Sequence, residues 1–252
     1  MGMFDPKFIR PEFKPRRLEP CFCNSGLKFR RCCGKFSDDR QPPHGIGVLK
    51  EFLSRDQCRK LVEYCKERPF EALGVYRFVE GGDQRIELSD SNQRITDRVE
   101  PGEKASYINK AIYSALAKEI AAACDREFSW FEEPQLLRYS PGGHYLKHAD
   151  SELRRPGRKD FVKNVDRDIS ILLYLNDDFD GGHLKFHKFN YIYKPSAGDL
   201  LYFPSDHRYE HEAMMLETGL RFVVVSWAAF KGEPRVSDER MPRLIRMNAE
   251  EK

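Results

Sequence analysis

The chain has 252 residues, 40% of them apolar, 33% charged and 12% aromatic, a balance that excludes a disordered or membrane-spanning polypeptide and suits one substantial domain with a small satellite. No run approaches the roughly 18 apolar residues of a spanning helix. A net charge of +3 is too small to argue for nucleic-acid binding, although residues 1–40 carry ten Lys or Arg against five Asp or Glu. That local excess suits an acidic partner such as RNA, a ribosome or an acidic protein surface, or simply a solvated tail. The N-terminal residues lack a signal-peptide apolar region, which makes the cytoplasm the expected location.

The first twenty residues space Pro6, Pro11, Pro15 and Pro20 through charge without helical or strand period, which reads as an extended arm. There follows Cys21-x-Cys23, eight residues, then Cys32-Cys33. A segment this short cannot build its own apolar core, whereas four thiolates around zinc supply folding energy directly and leave no open position. With its internal Asn-Ser-Gly turn the segment resembles the SEC-C zinc-binding motif. The resemblance implies a structural zinc on Cys21, Cys23, Cys32 and Cys33 and a module that docks on a protein or ribosome.

Residues 36–44 are polar and proline-bearing and read as a linker. Ser54 with Gln57 three residues on forms a capping-box signal, and the helix it opens places Cys58, Leu61, Val62 and Cys65 on one stripe; these cysteines and Cys124 are expected in the core. Residues 74–101 alternate short strand-like pieces with polar turns, including Gly81-Gly82-Asp83. A helix is predicted over 103–123 through Ile108, Ile112, Leu116 and Ile120.

From residue 134 the period becomes that of strands, at 135–139, 144–149, 168–175, 183–187, 191–193, 199–203, 211–215 and 221–230, with Gly-rich and Asn/Asp-rich turns between. Eight short strands at this spacing predict a barrel or double-sheet jelly roll. The basic segment 151–166 interrupts them. It reads as a mobile lid over a substrate or as ordinary solvated charge. The tail from 233 is charged, with at most a short helix.

On the 144–149 strand, His148 and Asp150 are two residues apart, a spacing that puts both on one face and lets them share a metal. A third ligand would complete the two-histidine, one-carboxylate set that leaves open positions on iron(II). His144 follows a Pro-Gly-Gly turn that argues against a helical His144/His148 pair, and His183 and His187 have no carboxylate nearby in their register. The late segment with His207 and His211 is more promising. Ten residues after His211, Arg221 stands in an apolar strand, either facing outward or meeting an anion.

Tyr139 to Asp150, the Leu-Leu-Tyr-Leu-Asn run with its following Gly-Gly-His, and residues 203–227 together resemble the iron(II)- and 2-oxoglutarate-dependent oxygenases of the prolyl 4-hydroxylase branch, across roughly 45–230. The resemblance implies a double-stranded β-helix core, mainly β with flanking helices, occupying 45–232 after an arm and zinc knuckle at 1–35. It implies His148, Asp150 and His211 as iron ligands in preference to His207, Arg221 at the distal carboxylate of 2-oxoglutarate, Tyr174 assisting there, and Tyr139 near the chelating end. Trp227 reads as pocket lining or core. The implied reaction is dioxygenation with release of succinate and CO2, ascorbate being a candidate accessory, and the expected substrate is a protein, foremost at a prolyl residue and with the translation machinery as a candidate source. Nucleic-acid demethylation is disfavoured, because that branch carries a second Arg where this chain has Trp227. The remaining alternatives are another small or protein substrate, or a non-catalytic adaptor working through the knuckle.

Overall fold

A computed structural model describes residues 6–23, 25–35, 41–78, 85–88, 90–155, 157–236 and 244–247. Two antiparallel sheets face each other, and strand alternation decides what lies between them. The larger sheet runs Gly47–Leu49, Leu200–Pro204, Ile169–Tyr174, Arg221–Phe230, Gln135–Tyr139, Asp97–Val99, Phe70–Ala72. Along its central strand, Phe222, Val224 and Ala228 join Ile169, Ile171, Leu173 and Leu136 in one cluster. Val223, Val225 and Trp227 join Leu172, Tyr174, Leu137 and Tyr139 in the other. The second face is the one turned toward the smaller sheet, Tyr191–Tyr193, Leu184–Phe186, His211–Ala213, His144–His148, Arg94–Ile95. This double-sheet arrangement is a jelly roll, and the site lies between its sheets.

Helices cover the first face. Arg55–Lys66 opens on Ser54 with both bonds of the capping box formed to Gln57, a cap worth about 1 kcal/mol. Cys58 and Cys65 are buried among the core residues, and burial pushes their thiols up to about 11 and about 12. Residues 102–124 form the second helix, whose middle, Ala115–Ile120, is a π-helix. Its apolar residues recur every four positions, a stripe that drifts about 40° per step on a 3.6-residue helix. The wider π turn absorbs that drift, and Ile108, Ile112, Leu116 and Ile120 are all buried.

Two features depart from the sequence reading, and a third lies outside it. The arm contains a strand, Ile9–Pro11, that pairs with Asp160–Lys163, itself paired with Glu152–Arg154. Segment 151–166 is therefore a hairpin braced by the N-terminus; three-residue strands are too short to display a period in sequence. The tail contributes a strand, Leu244–Arg246, to Phe128–Glu132 instead of a helix. The knuckle is packed on the sheets: Cys21, Phe29 and Cys33 share a cluster with Tyr139, Tyr174 and Phe186, and the rings of Phe22 and Phe189 are 5.5 Å apart. The Gly81-Gly82-Asp83 turn and linker residues 36–40 lie outside the described residues. Among the described residues, no helix is long and apolar enough to cross a membrane.

Candidate active site

His148 and His211 stand directly opposite each other on neighbouring strands. The register slips between Tyr145 and His148, a bulge that brings two residues three apart to one side, and their rings stack at 3.6 Å. Asp150 is beyond the strand end, where its N–H donates to the Ser205 carbonyl at 3.1 Å. The pair therefore meets through a bend after His148 rather than through the shared strand face that the sequence spacing suggested.

One ligand atom each from His148, Asp150 and His211 lies within 4.8 Å of the others. The Nε2 atoms of His148 and His211 are 3.4 and 3.8 Å from the Asp150 carboxylate. Their Nδ1 atoms face the carbonyls of Leu146 at 2.8 Å and Tyr209 at 3.1 Å. Assigning the protons to Nδ1 satisfies both carbonyls and leaves two Nε2 lone pairs directed at one point. Burial, with the nearby His148, lowers the His211 pKa to about 4. Burial opposes ionisation of Asp150, but the nearby His211 and His148 and the hydrogen bond from Ser170 outweigh it and hold the carboxyl well below its usual range. Two neutral imidazoles and an ionised carboxylate presented from one side fit iron(II) and leave other coordination positions open.

Arg221 is 2% exposed, the inward of the two placements that the sequence left open. It pairs across the strands with Tyr139, and its guanidinium lies 3.8 Å from that ring's centroid. Its Nη1 donates to the Gly182 carbonyl, while its Nε is buried with no hydrogen-bond partner. A buried guanidinium without a carboxylate is costly, and a planar fork is the natural partner of one. Tyr174 is buried on the same inter-sheet face, where burial raises its pKa above the ordinary tyrosine range, against the nearby charge of Arg221. These residues fit a dicarboxylate whose far end reaches Arg221.

Several neighbours escaped the sequence reading. Ser170 donates to Asp150 Oδ2 at 2.6 Å and also contacts the Ser205 hydroxyl at 2.8 Å. Arg167 pairs with buried Glu132 at 2.7 Å and places its guanidinium 3.7 Å from the ring of half-buried Trp227, which packs against the inter-sheet cluster. Neither residue has a local signal, because each acts across more than fifteen positions of chain. His207 is not in the metal-ligand group; its Nδ1 bonds the Glu152 carboxylate and its ring stacks on Phe161 at 4.5 Å. His144 bonds the Gly142 carbonyl at 2.9 Å. His187 does have a carboxylate partner, contrary to the sequence reading: Glu212, 2.7 Å away on the neighbouring strand.

In the knuckle, Cys21, Cys23, Cys32 and Cys33 also gather with their sulfur atoms within 4.8 Å of one another. The thiols are free of disulfides, and four sulfurs at this spacing fit tetrahedral zinc. The N–H of Cys21 donates to Leu27 at 2.8 Å, closing the turn between the cysteine pairs.

Residues 134–229 match the family model of the 2OG-Fe(II) oxygenase superfamily, and residues 19–35 that of the SEC-C motif. A protein of Acanthamoeba polyphaga mimivirus, provisionally named a prolyl 4-hydroxylase, is 23% identical over 190 residues, covering 71% of this chain and 72% of its own. Among solved structures, the fold is similar to the Trichoplax adhaerens prolyl hydroxylase in complex with a hypoxia-inducible-factor peptide fragment, with a TM-score of 0.54 and 18% identity over 73% of this chain and 83% of that one. It is also similar to the viral collagen prolyl hydroxylase of Paramecium bursaria Chlorella virus-1, solved with 2-oxoglutarate, with a TM-score of 0.51 and 19% identity over 74% of this chain and 97% of that one.

Proposed function

We propose, for a chain that belongs to the 2OG-Fe(II) oxygenase superfamily through residues 134–229, that it is a cytoplasmic dioxygenase hydroxylating a polypeptide, foremost at a prolyl residue. His148, Asp150 and His211 are assigned as iron ligands, Arg221 as the partner of the distal 2-oxoglutarate carboxylate, and Tyr139 and Tyr174 as contacts along the co-substrate. When bound, iron(II) supplies oxygen activation coupled to conversion of 2-oxoglutarate to succinate and CO2. The chain's own contributions are distinct. Ser170 fixes the Asp150 carboxylate, the Leu146 and Tyr209 carbonyls fix the imidazole tautomers, and Arg221 sets the direction in which the co-substrate lies. Phe186 and Phe203, with ring centroids 5.9 and 4.8 Å from that of His211, help to exclude water.

The observation that carries this reading is the buried Arg221 with its unpartnered Nε, on the face of the larger sheet that is turned toward the smaller sheet carrying His148 and His211. A polypeptide target is supported by the likeness to prolyl hydroxylases, and a zinc knuckle that recruits a protein or ribosomal partner is supported by the SEC-C match. Anaerobic titration with iron(II) and 2-oxoglutarate should develop the weak visible absorbance of a keto-acid chelate. Correctly folded protein that binds iron but never develops this band would remove the catalytic assignment. Comparison of proteins from cells with and without this enzyme, by mass spectrometry for a one-oxygen gain at proline, identifies the target.

A further inference from the structure

The hairpin that follows Asp150 carries charge that neither the metal nor the co-substrate pocket uses. Two of its basic residues have structural partners: Arg155 pairs with Asp160, and Lys163 lies 3.2 Å from Asp168. Arg154, Arg158 and Lys159 are exposed; Arg154 and Arg158 are near enough to Glu12 and Asp160 to help lower those carboxyls' pKa values, Lys14 and Arg155 being the larger causes, but the close ion pairs of these two acids are with Lys14 and Arg155. Together with Arg155 and Gly157 they line an open hollow of about 440 Å³. Arg154 is further committed in direction, its Nε donating to the Arg158 carbonyl at 3.1 Å.

This basic hollow is held in place. Strand Asp160–Lys163 is paired on both sides, with Leu153 opposite Val162 and Ile9 opposite Val162 across the other edge. The Glu12 N–H donates to the Lys159 carbonyl at 3.1 Å, and Phe161 stacks on His207. Arg10, Phe161 and Arg154 stand side by side across the three strands, so the exposed arginine of the arm shares a face with that of the hairpin. Arg154 stands four positions after Asp150, a span of at most about 14 Å. An extended peptide rises about 3.3 Å per residue. A side chain roughly four positions from the reacting residue would therefore lie within reach of Arg154.

We propose that this hairpin is a specificity element selecting polypeptides with Asp or Glu about three to six residues from the hydroxylated position. The inference rests on the polypeptide-hydroxylase reading above and names the substrate class for it. An acidic peptide is favoured over nucleic acid because, among the described residues, the hairpin and arm expose no aromatic platform for bases. The large exposed apolar side chains of the arm and knuckle are Leu18 and Leu27, whereas single-stranded nucleic acid is held by aromatic stacking as well as charge. The neighbouring charge is also mixed, with Lys14 paired to Glu12 and Arg16 to Glu19.

The test uses the full chain loaded with zinc and iron(II), and fluorescein-labelled peptides with a central proline and paired glutamates about four positions to either side, beside glutamine and lysine counterparts. Binding is read by anisotropy under anaerobic conditions and hydroxylation by mass spectrometry. The glutamate peptide is expected to bind about tenfold more tightly than the glutamine peptide, the sum of a few exposed charge contacts, and that advantage should shrink at high salt. In the variant Arg154→Glu with Arg158→Glu the order should invert, the lysine peptide binding best, a gain that misfolding does not produce. Equal binding of the three peptides by the native chain overturns the proposal, as does an RNA oligonucleotide of equal charge that binds more tightly and displaces the glutamate peptide. Charge-dependent binding with no hydroxylation of any peptide supports the hairpin's role while refuting the polypeptide-hydroxylase reading.

Discussion

Replacing Arg221 with alanine tests the assignment on which the catalytic reading depends most. The side chain is 2% exposed, its Nη1 is engaged by the Gly182 carbonyl, and its Nε has no partner. A carboxylate arriving there gains a charge-assisted hydrogen bond in a site screened from water, worth about 1.5–3 kcal/mol. Arg221→Ala should therefore raise the dissociation constant for 2-oxoglutarate by about 10- to 150-fold. The assay is anaerobic titration of iron-loaded protein, monitored by the visible band or by calorimetry. Pyruvate supplies the internal control, because it retains the keto acid but lacks the distal carboxylate; its affinity should be nearly equal in native and variant protein. A variant that binds iron normally and 2-oxoglutarate with unchanged affinity refutes the carboxylate assignment. One that loses affinity for both keto acids equally has lost the shape of the pocket instead. Arg221→Lys should recover part of the difference, since it keeps the charge but not the planar fork.

Ser170→Ala removes the 2.6 Å hydrogen bond to Asp150 and should weaken iron(II) binding by about 10- to 100-fold, as measured by competition with a chelator; unchanged affinity would mean that Asp150 is fixed without it. Metal-free protein should lose stability as pH falls from about 6.5 to about 4, because the unfolded chain protonates His211 at its ordinary value while the folded site resists until about 4. The difference is about 3 kcal/mol, visible in urea midpoints across that range, and His211→Gln should flatten the slope. Substituting Cys21→Ser and Cys23→Ser should abolish zinc binding, assayed by metal analysis, and also accelerate amide exchange in strand Asp160–Lys163. Exchange there identical to the native rate would show that the knuckle does not brace the hairpin.

The parts of the fold legible in sequence were those in which one segment carries its own pattern. Arg221–Phe230 is apolar at every position but Arg221 and Ser226, and the predicted bounds match the strand; the helix after Ser54 announced itself by its cap and stripe. The placement of Arg221 could not be read this way, because both faces of that strand are buried, one under helices and one against the second sheet. Alternation then carries no contrast of apolar against polar. Once the inter-sheet face is known, Arg221, Val223, Val225 and Trp227 fall on it together. Its cross-strand neighbour Tyr139 was reachable only through the family resemblance.

The arm and the hairpin illustrate the complementary difficulty. Neither Ile9–Pro11 nor Asp160–Lys163 is long enough to display a period, and the residues that join them are about 150 positions apart. Pairing converts two charged, proline-bearing stretches into one sheet, and its position matters for function. Phe13 and Phe22 make an edge contact at 5.3 Å, so the arm is joined to the knuckle at one end and to the hairpin at the other. The hairpin in turn continues directly from Asp150, whose own N–H and that of Ser151 both donate to the Ser205 carbonyl at 3.1 and 3.0 Å. On the reading proposed above, a four-cysteine N-terminus joined in this way to the segment that leaves the candidate ligand group has a reason to be on the same chain even before any partner is considered: it would hold rigid the wall beside the reacting residue and so help to select what is presented there.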